Sequence, residues 1–271
     1  MSPLWRDEVA IYLAPRKIAL ARRGRGLKPV VGSATEIAVP GGHFADVRPA
    51  LAKLAEVLAE PTWQNGSARV VVADPWARYG IVNWTGARLD DEGKLTHARY
   101  VLADAFGEGL ADWSVSLADT PPGRSYVACA MHGQLRPLID DALGAAKLQL
   151  VSLQPQLIVA YNVWRHRLPT DDAWFVSLDE GSLSAVHLSN GSWDRVHMTR
   201  LSNDWVVELE RLRAFGRLSR SAGGGSRMFV DAPIWMRTNA PATGPELEWL
   251  EDDSAADGRA WELALLQRVY A

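Results

Sequence analysis

The apolar positions at the start of the chain alternate with a period of two on either side of a short turn. This alternation covers Val9–Ala14 and Lys17–Arg22, and it predicts a β-hairpin. From about residue 43 to residue 60 the apolar period changes to that of an amphipathic helix. The apolar face of this predicted helix consists of Phe44, Val47, Leu51, Leu54 and Leu58. The Val-rich run Ala68–Ala73 is continuous, as in a strand that is buried on both faces.

A compact α/β block is predicted from about residue 85 to residue 147. Before it, Asp74-Pro75 ends the buried strand and Arg78–Trp84 resumes as a strand. The elements of the block are a helix at Leu89–Phe106, strands at Trp113–Ala118 and Tyr126–Ala130, and a helix at His132–Lys147. A strand at Leu148–Leu153 follows, and Pro155 opens a helix at a first-turn position where proline is tolerated.

The remainder of the chain starts again with hairpin strands. The predicted strands are Trp174–Leu178, Leu183–Leu188, Trp193–Arg200 and Met228–Val230. Ser202 is a good N-cap for a helix, and the glycine-rich stretch Ser221–Ser226 indicates a loop. The acid- and proline-rich stretch Glu246–Gly258 is predicted to be mobile, and a last helix is predicted to end at Ala271.

The order of the predicted elements occurs twice along the chain. Residues 165–172 are charged and contain one proline, and they indicate a joint between a first half, 1–165, and a second, truncated half, 166–271. Each half begins with a strand hairpin and continues into helices and further strands. This plan is typical of the actin-like (ribonuclease-H-like) α/β fold, here with the α/β subdomain at about 85–147 inserted in the first half.

Composition and charge exclude several classes of protein. The formal net charge of −3 gives no basic surplus of the kind that nucleic-acid binders carry. Cys129 is the single cysteine, so no intramolecular disulfide is possible. No run approaches the ~20 apolar residues needed to span a bilayer, and the first residues lack the pattern of a secretory signal. We therefore expect a cytoplasmic protein without direct membrane insertion.

The residues predict neither a metal site nor a catalytic nucleophile. The six histidines show no ligand spacing, such as two His four residues apart with a Glu between them. Ser114, Ser116 and Ser125 lack the Gly-x-Ser-x-Gly setting of a hydrolase nucleophile. The twelve tryptophans are spread from Trp5 to Trp261, which indicates core and interface anchors more than a stacking platform for sugars.

Several segments of the chain resemble the actin-like cytoplasmic proteins of type IV pilus and type II secretion assembly. These are the PilM family and the cytoplasmic domain of GspL. The similar segments are residues 70–79, 82–84, 150–155, 174–181 and 190–193. The resemblance covers roughly residues 5–235 and lies in pattern and spacing. It implies an actin-like fold in which the block at 85–147 stands where PilM-like proteins insert their extra subdomain.

The resemblance implies an adaptor at the cytoplasmic face of the inner membrane. PilM-like proteins hold the short cytoplasmic tail of a single-pass partner and contact the assembly ATPase, and some bind ATP whereas others have lost that ability. We therefore expect a non-catalytic adaptor without a cofactor, cytoplasmic and held peripherally at the inner membrane through its partner. The alternative is a nucleotide-binding actin-like ATPase or small-molecule kinase.

The first turn lacks the residues with which an actin-like ATPase grips phosphate. That signature needs an Asp to order a metal-bound water and a Gly for close backbone approach. Tyr12 and Ala14 stand at those two places, and Pro15 removes an amide donor. The glycines at 223–225 precede a strand instead of following one, which favours a flexible loop. Under the alternative function, the cofactor-binding residues are predicted to be Asp74, Asp179, Gly181, Gly223 and Gly224.

Three residues on the strand after Asp74 are the predicted partner contacts. Arg78, Tyr79 and Trp84 are large aromatic or cationic residues, which is the composition of an interface centre. They would hold the partner's tail as an extended peptide with a few aromatic anchors. The alternative interpretation places Tyr79 and Trp84 in the core, with Arg78 capping them.

Overall fold

The strands and helices follow the hydrophobic pattern of the sequence. The computed structural model describes residues 7–24, 31–84, 86, 89–110, 112–121, 123–170, 172–179, 181–201, 205–218, 227–233, 236–237 and 247–250. The strands are β1 (Glu8–Leu13), β2 (Lys17–Arg23), β3 (Val31–Ala38), β4 (Gly66–Val72), β5 (Ala77–Val82), β6 (Ser114–Leu117), β7 (Tyr126–Met131), β8 (Leu148–Pro155), β9 (Ala173–Asp179), β10 (Ser182–Ser189), β11 (Ser192–Arg200), β12 (Arg227–Asp231) and β13 (Leu247–Trp249). The α-helices are α1 (Arg48–Leu58), α2 (Asp91–Phe106), α3 (Leu135–Ala145), α4 (Gln156–Trp164) and α5 (Trp205–Leu218).

Two five-stranded sheets share one topology. The first has the order β3-β2-β1-β4-β8, and the second has the order β11-β10-β9-β12-β13. In each sheet the first three strands pair antiparallel and the remaining pairs are parallel. The repeated order of elements that the sequence predicts is therefore confirmed by the sheets themselves.

Strands β1 and β2 of the first sheet are buried on both faces along most of their length, which explains their nearly continuous apolar sequences. Val9, Ile11 and Leu13 of β1 belong to a core that also contains residues of α1 and α3. The intervening Ala10 and Tyr12 belong to a second cluster on the opposite face. Since successive side chains of a strand point to opposite faces, a strand covered on both sides has no polar period.

The second sheet has an apolar core on one face. Trp174, Val176 and Leu178 of β9 belong to the same cluster as Leu209 and Leu212 of α5. The predicted helix after β11 is present as α5, whereas its predicted cap, Ser202, lies outside the described residues. The glycine-rich loop, the last helix and most of Glu246–Gly258 also lie outside them. Within that predicted mobile stretch, β13 pairs in parallel with β12, because its Leu247 is buried against the core.

A smaller sheet of order β5-β7-β6 packs with α2. Its core includes Val82, Ala98, Leu102 and Tyr126. Helix α2 begins at Asp91 because the Asp90 carboxylate accepts a hydrogen bond from the Gly93 N–H at 2.8 Å. The strands and first helix predicted for the α/β block are therefore present.

Several features differ from the sequence prediction, and one is Pro155, which ends β8 instead of opening the next helix. Helix α1 starts at Arg48 instead of residue 43, because Pro49 fits only the first turn of a helix and Asp46 accepts a hydrogen bond from the Arg48 N–H at 3.0 Å. Phe44 consequently precedes the helix. Strand β3 was not predicted. Helix α3 packs in the core of the first sheet. The predicted limits of the inserted block, about 85–147, stay a prediction.

The described residues divide into two compact units. One contains residues 7–77 and 131–159, and the other contains residues 78–130 and 160–250. The first unit holds the first sheet with α1 and α3, and the second holds the smaller sheet, α2, the second sheet and α5. The predicted division into halves at residue 165 stays a prediction.

Candidate ligand and partner sites

In the first unit, the turn that replaces the phosphate-gripping signature is covered by a hydrogen bond to α4 and by the backbone at Gly42. Tyr12 is fully buried and its hydroxyl donates a hydrogen bond to Oε1 of Gln156 at 2.7 Å. The backbone after β3 lies against the turn, because a Cβ on Gly42 would stand 1.7 Å from the carbonyl oxygen of Pro15. Tyr12 and Gln156 therefore satisfy each other, and the turn has no open face at Pro15.

Asp74 lies in the same unit and caps a helix that is distant in sequence. Its side chain is buried, and Oδ1 accepts a hydrogen bond from the N–H of Leu157 at 3.1 Å. Leu157 is the second residue of α4, so this N–H belongs to the positive end of the helix. A helix N-terminus at the end of parallel strands is a common place for a bound anion. Here the carboxylate of Asp74 supplies that negative charge.

Both features lie at the same edge of the first sheet. Leu13, Val72 and Pro155 are register partners across β1, β4 and β8, and the three parallel strands end there. Ligands of α/β sheets bind at the carboxyl edge of such strands. In this unit the edge is occupied by the bond from Tyr12 to Gln156 and by the cap that Asp74 places on α4.

In the second unit, the corresponding edge carries a buried polar cluster. Ser177 of β9 lies in register between Ser184 of β10 and Asp231 of β12, and Asp179 pairs with Ser182 one step further along the same face. All five are buried. Ser184 Oγ has no hydrogen-bond partner among the described residues. The cluster brings three hydroxyl groups and two carboxylates together at this edge of the second sheet.

The residues predicted for nucleotide binding are thus distributed over different places. Gly181 follows the strand that ends in Asp179, and its φ of +92° is a conformation that favours glycine. Asp74 lies in the other unit as a helix cap, and Gly223 and Gly224 lie outside the described residues. The described residues contain no group of three His, Cys, Asp or Glu side chains that would hold a metal ion.

Sequence analysis missed Asp231. It ends β12 and is followed by Ala232-Pro233, just as Asp74-Pro75 follows β4 in the first sheet. Strands β4 and β12 are each the fourth strand of their sheet, and each has an Asp near its C-terminal end, followed within two residues by a Pro. The places are not equivalent, because Asp231 is the last residue of β12 and pairs with Ser177, whereas Asp74 stands two residues beyond β4.

The three predicted partner contacts have different environments within the second unit. Tyr79 is buried and packs edge-to-face on Trp193, with ring centroids 6.4 Å apart, so it belongs to the core and is not available to a partner. The Arg78 guanidinium lies over the rings of Trp113 and Phe106, at 5.4 and 5.9 Å from their centroids. Burial, and secondarily the charge of Arg200, lowers the pKa of Arg78. Only Trp84 is exposed, by 37%.

Trp84 lines a groove of about 710 Å³ in the smaller sheet's subdomain. Leu89, Leu117, Pro121 and Tyr126 contribute apolar surface to it, and charged side chains, including Lys94 and Arg124, stand at the same groove. The hydroxyl of Tyr126 donates a hydrogen bond to the carbonyl oxygen of Lys94 at 3.4 Å, and burial raises the pKa of this tyrosine. Asp91 and Asp119 also line the groove, so its charged side chains are of both signs. An exposed indole beside apolar side chains suits a peptide with an apolar anchor.

Comparisons with known proteins give the fold of the chain. No family model matches, and no curated protein matches. Among solved structures, the chain is similar to the PilM–PilN type IV pilus biogenesis complex, with 15% identity, 96% of each chain covered and a TM-score of 0.69. It is also similar to the cytoplasmic domain of EpsL, an inner-membrane component of the Vibrio cholerae type II secretion system, with 10% identity, 97% of this chain and 94% of that chain covered, and a TM-score of 0.63.

A third similar structure also has an actin-like fold. It is a Bacteroides thetaiotaomicron protein with an actin-like ATPase fold and unknown function, with 8% identity, 97% of this chain and 96% of that chain covered, and a TM-score of 0.62. The predicted actin-like α/β fold and the predicted similarity to PilM and the GspL-type cytoplasmic domain are therefore confirmed at the level of the fold.

Proposed function

We propose that this chain is a non-catalytic adaptor of a type IV pilus or type II secretion-like assembly platform. It binds the cytoplasmic tail of a single-pass inner-membrane partner, and through that partner it is peripheral at the inner membrane. Contact with the assembly ATPase belongs to the same proposal. The observation that carries the non-catalytic part is the buried carboxylate of Asp74 on the N-terminus of α4.

The chemistry of this edge argues against a phosphate ligand. A phosphate at the N-terminus of α4 would compete with Asp74 for the same N–H and place a second negative charge beside a buried carboxylate. Like charges repel strongly where water is excluded. The bond between Tyr12 and Gln156 closes the neighbouring turn. The first half therefore lacks both the charge and the open backbone that nucleotide binding needs.

The solved structures that are similar to this chain support the adaptor role. The similar PilM structure is a complex with PilN, and the similar EpsL domain belongs to an inner-membrane component. In the described residues, no helix is long and apolar enough to cross a bilayer. Attachment through a partner's tail is therefore the form of membrane association that we propose, with the groove at Trp84 as the place for an apolar anchor of that tail.

The first test is isothermal titration calorimetry with ATP and magnesium, together with a thermal-shift measurement. We expect neither heat nor a shift in the unfolding temperature. A dissociation constant at or below ~100 µM, about −5.5 kcal/mol, would contradict the non-catalytic proposal. The polar cluster at Ser177, Asp179 and Asp231 is the observation that favours the alternative, a nucleotide-binding protein. The isosteric Asp179→Asn variant would then lose the nucleotide, whereas the adaptor proposal predicts no nucleotide in either protein.

Trp84→Ala is predicted to weaken association with the partner's tail by at least ~30-fold, about 2 kcal/mol, because it removes the exposed indole of the groove. The probes are synthetic cytoplasmic tails of single-pass inner-membrane proteins from the source organism, titrated by fluorescence anisotropy. Tyr100→Ala is the matched control, since Tyr100 is 71% exposed on α2 and does not line that groove.

One result would separate the groove from the rest of this proposal. Equal loss in the Trp84→Ala and Tyr100→Ala variants would remove the groove from the binding surface while the adaptor role stands. Arg78→Glu, which sequence reasoning alone would choose, is a poorer probe, because Arg78 is half-buried over two aromatic rings and its replacement disturbs the subdomain.

A further inference from the structure

Strand β3 forms an outer edge of the first sheet, and alternate residues of it direct their backbone groups outward. The N–H of Val39 donates to the carbonyl oxygen of Arg16 at 2.7 Å, in the register that pairs Ile18 with Ile37. In an antiparallel pair, hydrogen-bonded and non-bonded residues alternate. Ser33, Thr35 and Ile37 therefore bond to β2. The backbone groups of Ala34, Glu36 and Ala38 point away from it.

This edge carries few of the devices that usually block strand pairing. Edge strands are protected by charges, prolines, bulges or short length. The stretch Ser33–Ala38 contains no proline and a single ionisable side chain, Glu36. The bulge of this strand lies outside that stretch, at Gly32. Ala34 and Ala38 are exposed, and their methyl groups leave the backbone accessible.

The other outer strands of the two five-stranded sheets are protected. Strand β8 has a bulge at Val151 in the middle of its pairing with β4. Strand β11 carries Asp194, Arg195 and further ionisable residues along its length. Strand β13 has three residues. Among these edges in the described part of the chain, β3 alone has a regular, nearly uncharged stretch of six residues.

We propose that β3 pairs antiparallel with β3 of a second copy of this chain, so that two first sheets join into one. The pairing is centred on Thr35, which faces Thr35 of the other copy. Ala34 then lies opposite Glu36 of the second copy, and Ser33 lies opposite Ile37. In this register Ala34 of each copy forms a hydrogen-bonded pair with Glu36 of the other copy.

Charge and the bulge select this register over its neighbours. A pairing centred on Glu36 would place the two carboxylates directly opposite each other, which destabilises a strand pair. A pairing centred on Ala34 would place Glu36 against the bulged Gly32, where the ladder is disrupted. The register centred on Thr35 avoids both and brings two β-branched residues together. The edge is therefore self-complementary, which is why a second copy is the proposed occupant.

Cross-linking tests the register directly. Opposite residues of a non-hydrogen-bonded antiparallel pair have Cα atoms about 4.5 Å apart, within the range of a disulfide. We expect Thr35→Cys, in a Cys129→Ser background, to form a covalent dimer under mild oxidation. Ser33→Cys is the matched control, because its two copies would be four residues out of register, about 13 Å apart. Equal cross-linking of the two variants would overturn the proposed register.

Mass measurement by sedimentation equilibrium tests the edge itself. Between ~1 and ~500 µM, the measured mass should rise from that of the monomer towards twice that value. This range suits the proposed interface, because an interface below the standard size is weak. Ala34→Pro removes an outward N–H without removing a bond to β2, and it should weaken the dimer at least ~10-fold. Ala34→Ser keeps the N–H and should dimerise as the parent does.

Circular dichroism and the thermal midpoint establish that Ala34→Pro folds, and the Thr35→Cys result stands if it does not. A monomer mass over the whole range, with no Thr35→Cys cross-link, overturns the proposal. If the chain is monomeric and a strand of a different protein pairs with β3, the dimer proposal is overturned in favour of a heterologous partner. These measurements use neither a tail nor a nucleotide, so their outcome is independent of the adaptor proposal.

Discussion

Gly66→Ala is expected to lower the free energy of unfolding by about 3 kcal/mol or more. Gly66 begins β4 with φ of +129°, a conformation that a residue with a side chain rarely adopts. A Cβ at this position would also stand 2.3 Å from the carbonyl oxygen of Asp7, which precedes the neighbouring strand. The close approach is part of the sheet, because the N–H of Ser67 donates to that same oxygen at 3.0 Å.

Urea denaturation followed by circular dichroism measures this loss, with Gly144→Ala as the matched control. Gly144 lies in α3, and a Cβ there meets no atom within 4 Å. Alanine is the better helix former, so Gly144→Ala should raise the free energy of unfolding by up to ~1 kcal/mol. A loss below ~1 kcal/mol for Gly66→Ala would mean that β4 can move away from Asp7 at little cost.

The strands that sequence alone could predict are those with strong apolar contrast. The hairpin of β1 and β2 and the hairpins of the second sheet have alternating or continuous apolar runs, and the structure has them at nearly the predicted bounds. Strand β3 was not predicted from the sequence, because its middle reads Gly-Ser-Ala-Thr and contains no alternating large apolar residues. Its place is set mainly by pairing with β2, and its Ile37 packs against the core of the first sheet.

The candidate sites were harder to predict because their residues meet across long stretches of chain. The sequence shows that Tyr12 and Ala14 stand where the phosphate-gripping signature needs an Asp and a Gly. It does not show that Tyr12 bonds to Gln156, 144 residues away. Tyr79 and Trp84 are both aromatic residues after one buried strand, and their composition is that of an interface. Only packing separates them, since Trp193 covers Tyr79 whereas Trp84 is exposed.

The buried cap on α4 gives the second large effect. Asp74→Ala is expected to lower the free energy of unfolding by about 3 kcal/mol, because the Leu157 N–H stays buried without its acceptor and the helix end loses a compensating charge. Asp74→Asn keeps an oxygen acceptor in nearly the same place, so its expected loss is about 1 kcal/mol. The difference between the stability losses of the two variants measures the free-energy contribution of the hydrogen bond without that of the charge.

Asp90→Ala is the matched control for Asp74→Ala, because Asp90 also accepts a bond from a helix N–H, at 2.8 Å from Gly93, but is exposed. Water replaces the lost acceptor there, so its expected cost is ~1 kcal/mol. Equal losses at Asp74 and Asp90 would contradict the role of burial. The same variants also separate the two functions. In a nucleotide-binding protein, Asp74→Asn abolishes ATP binding that the parent possesses. In an adaptor whose helix end is already neutralised by its own carboxylate, the variant changes stability alone.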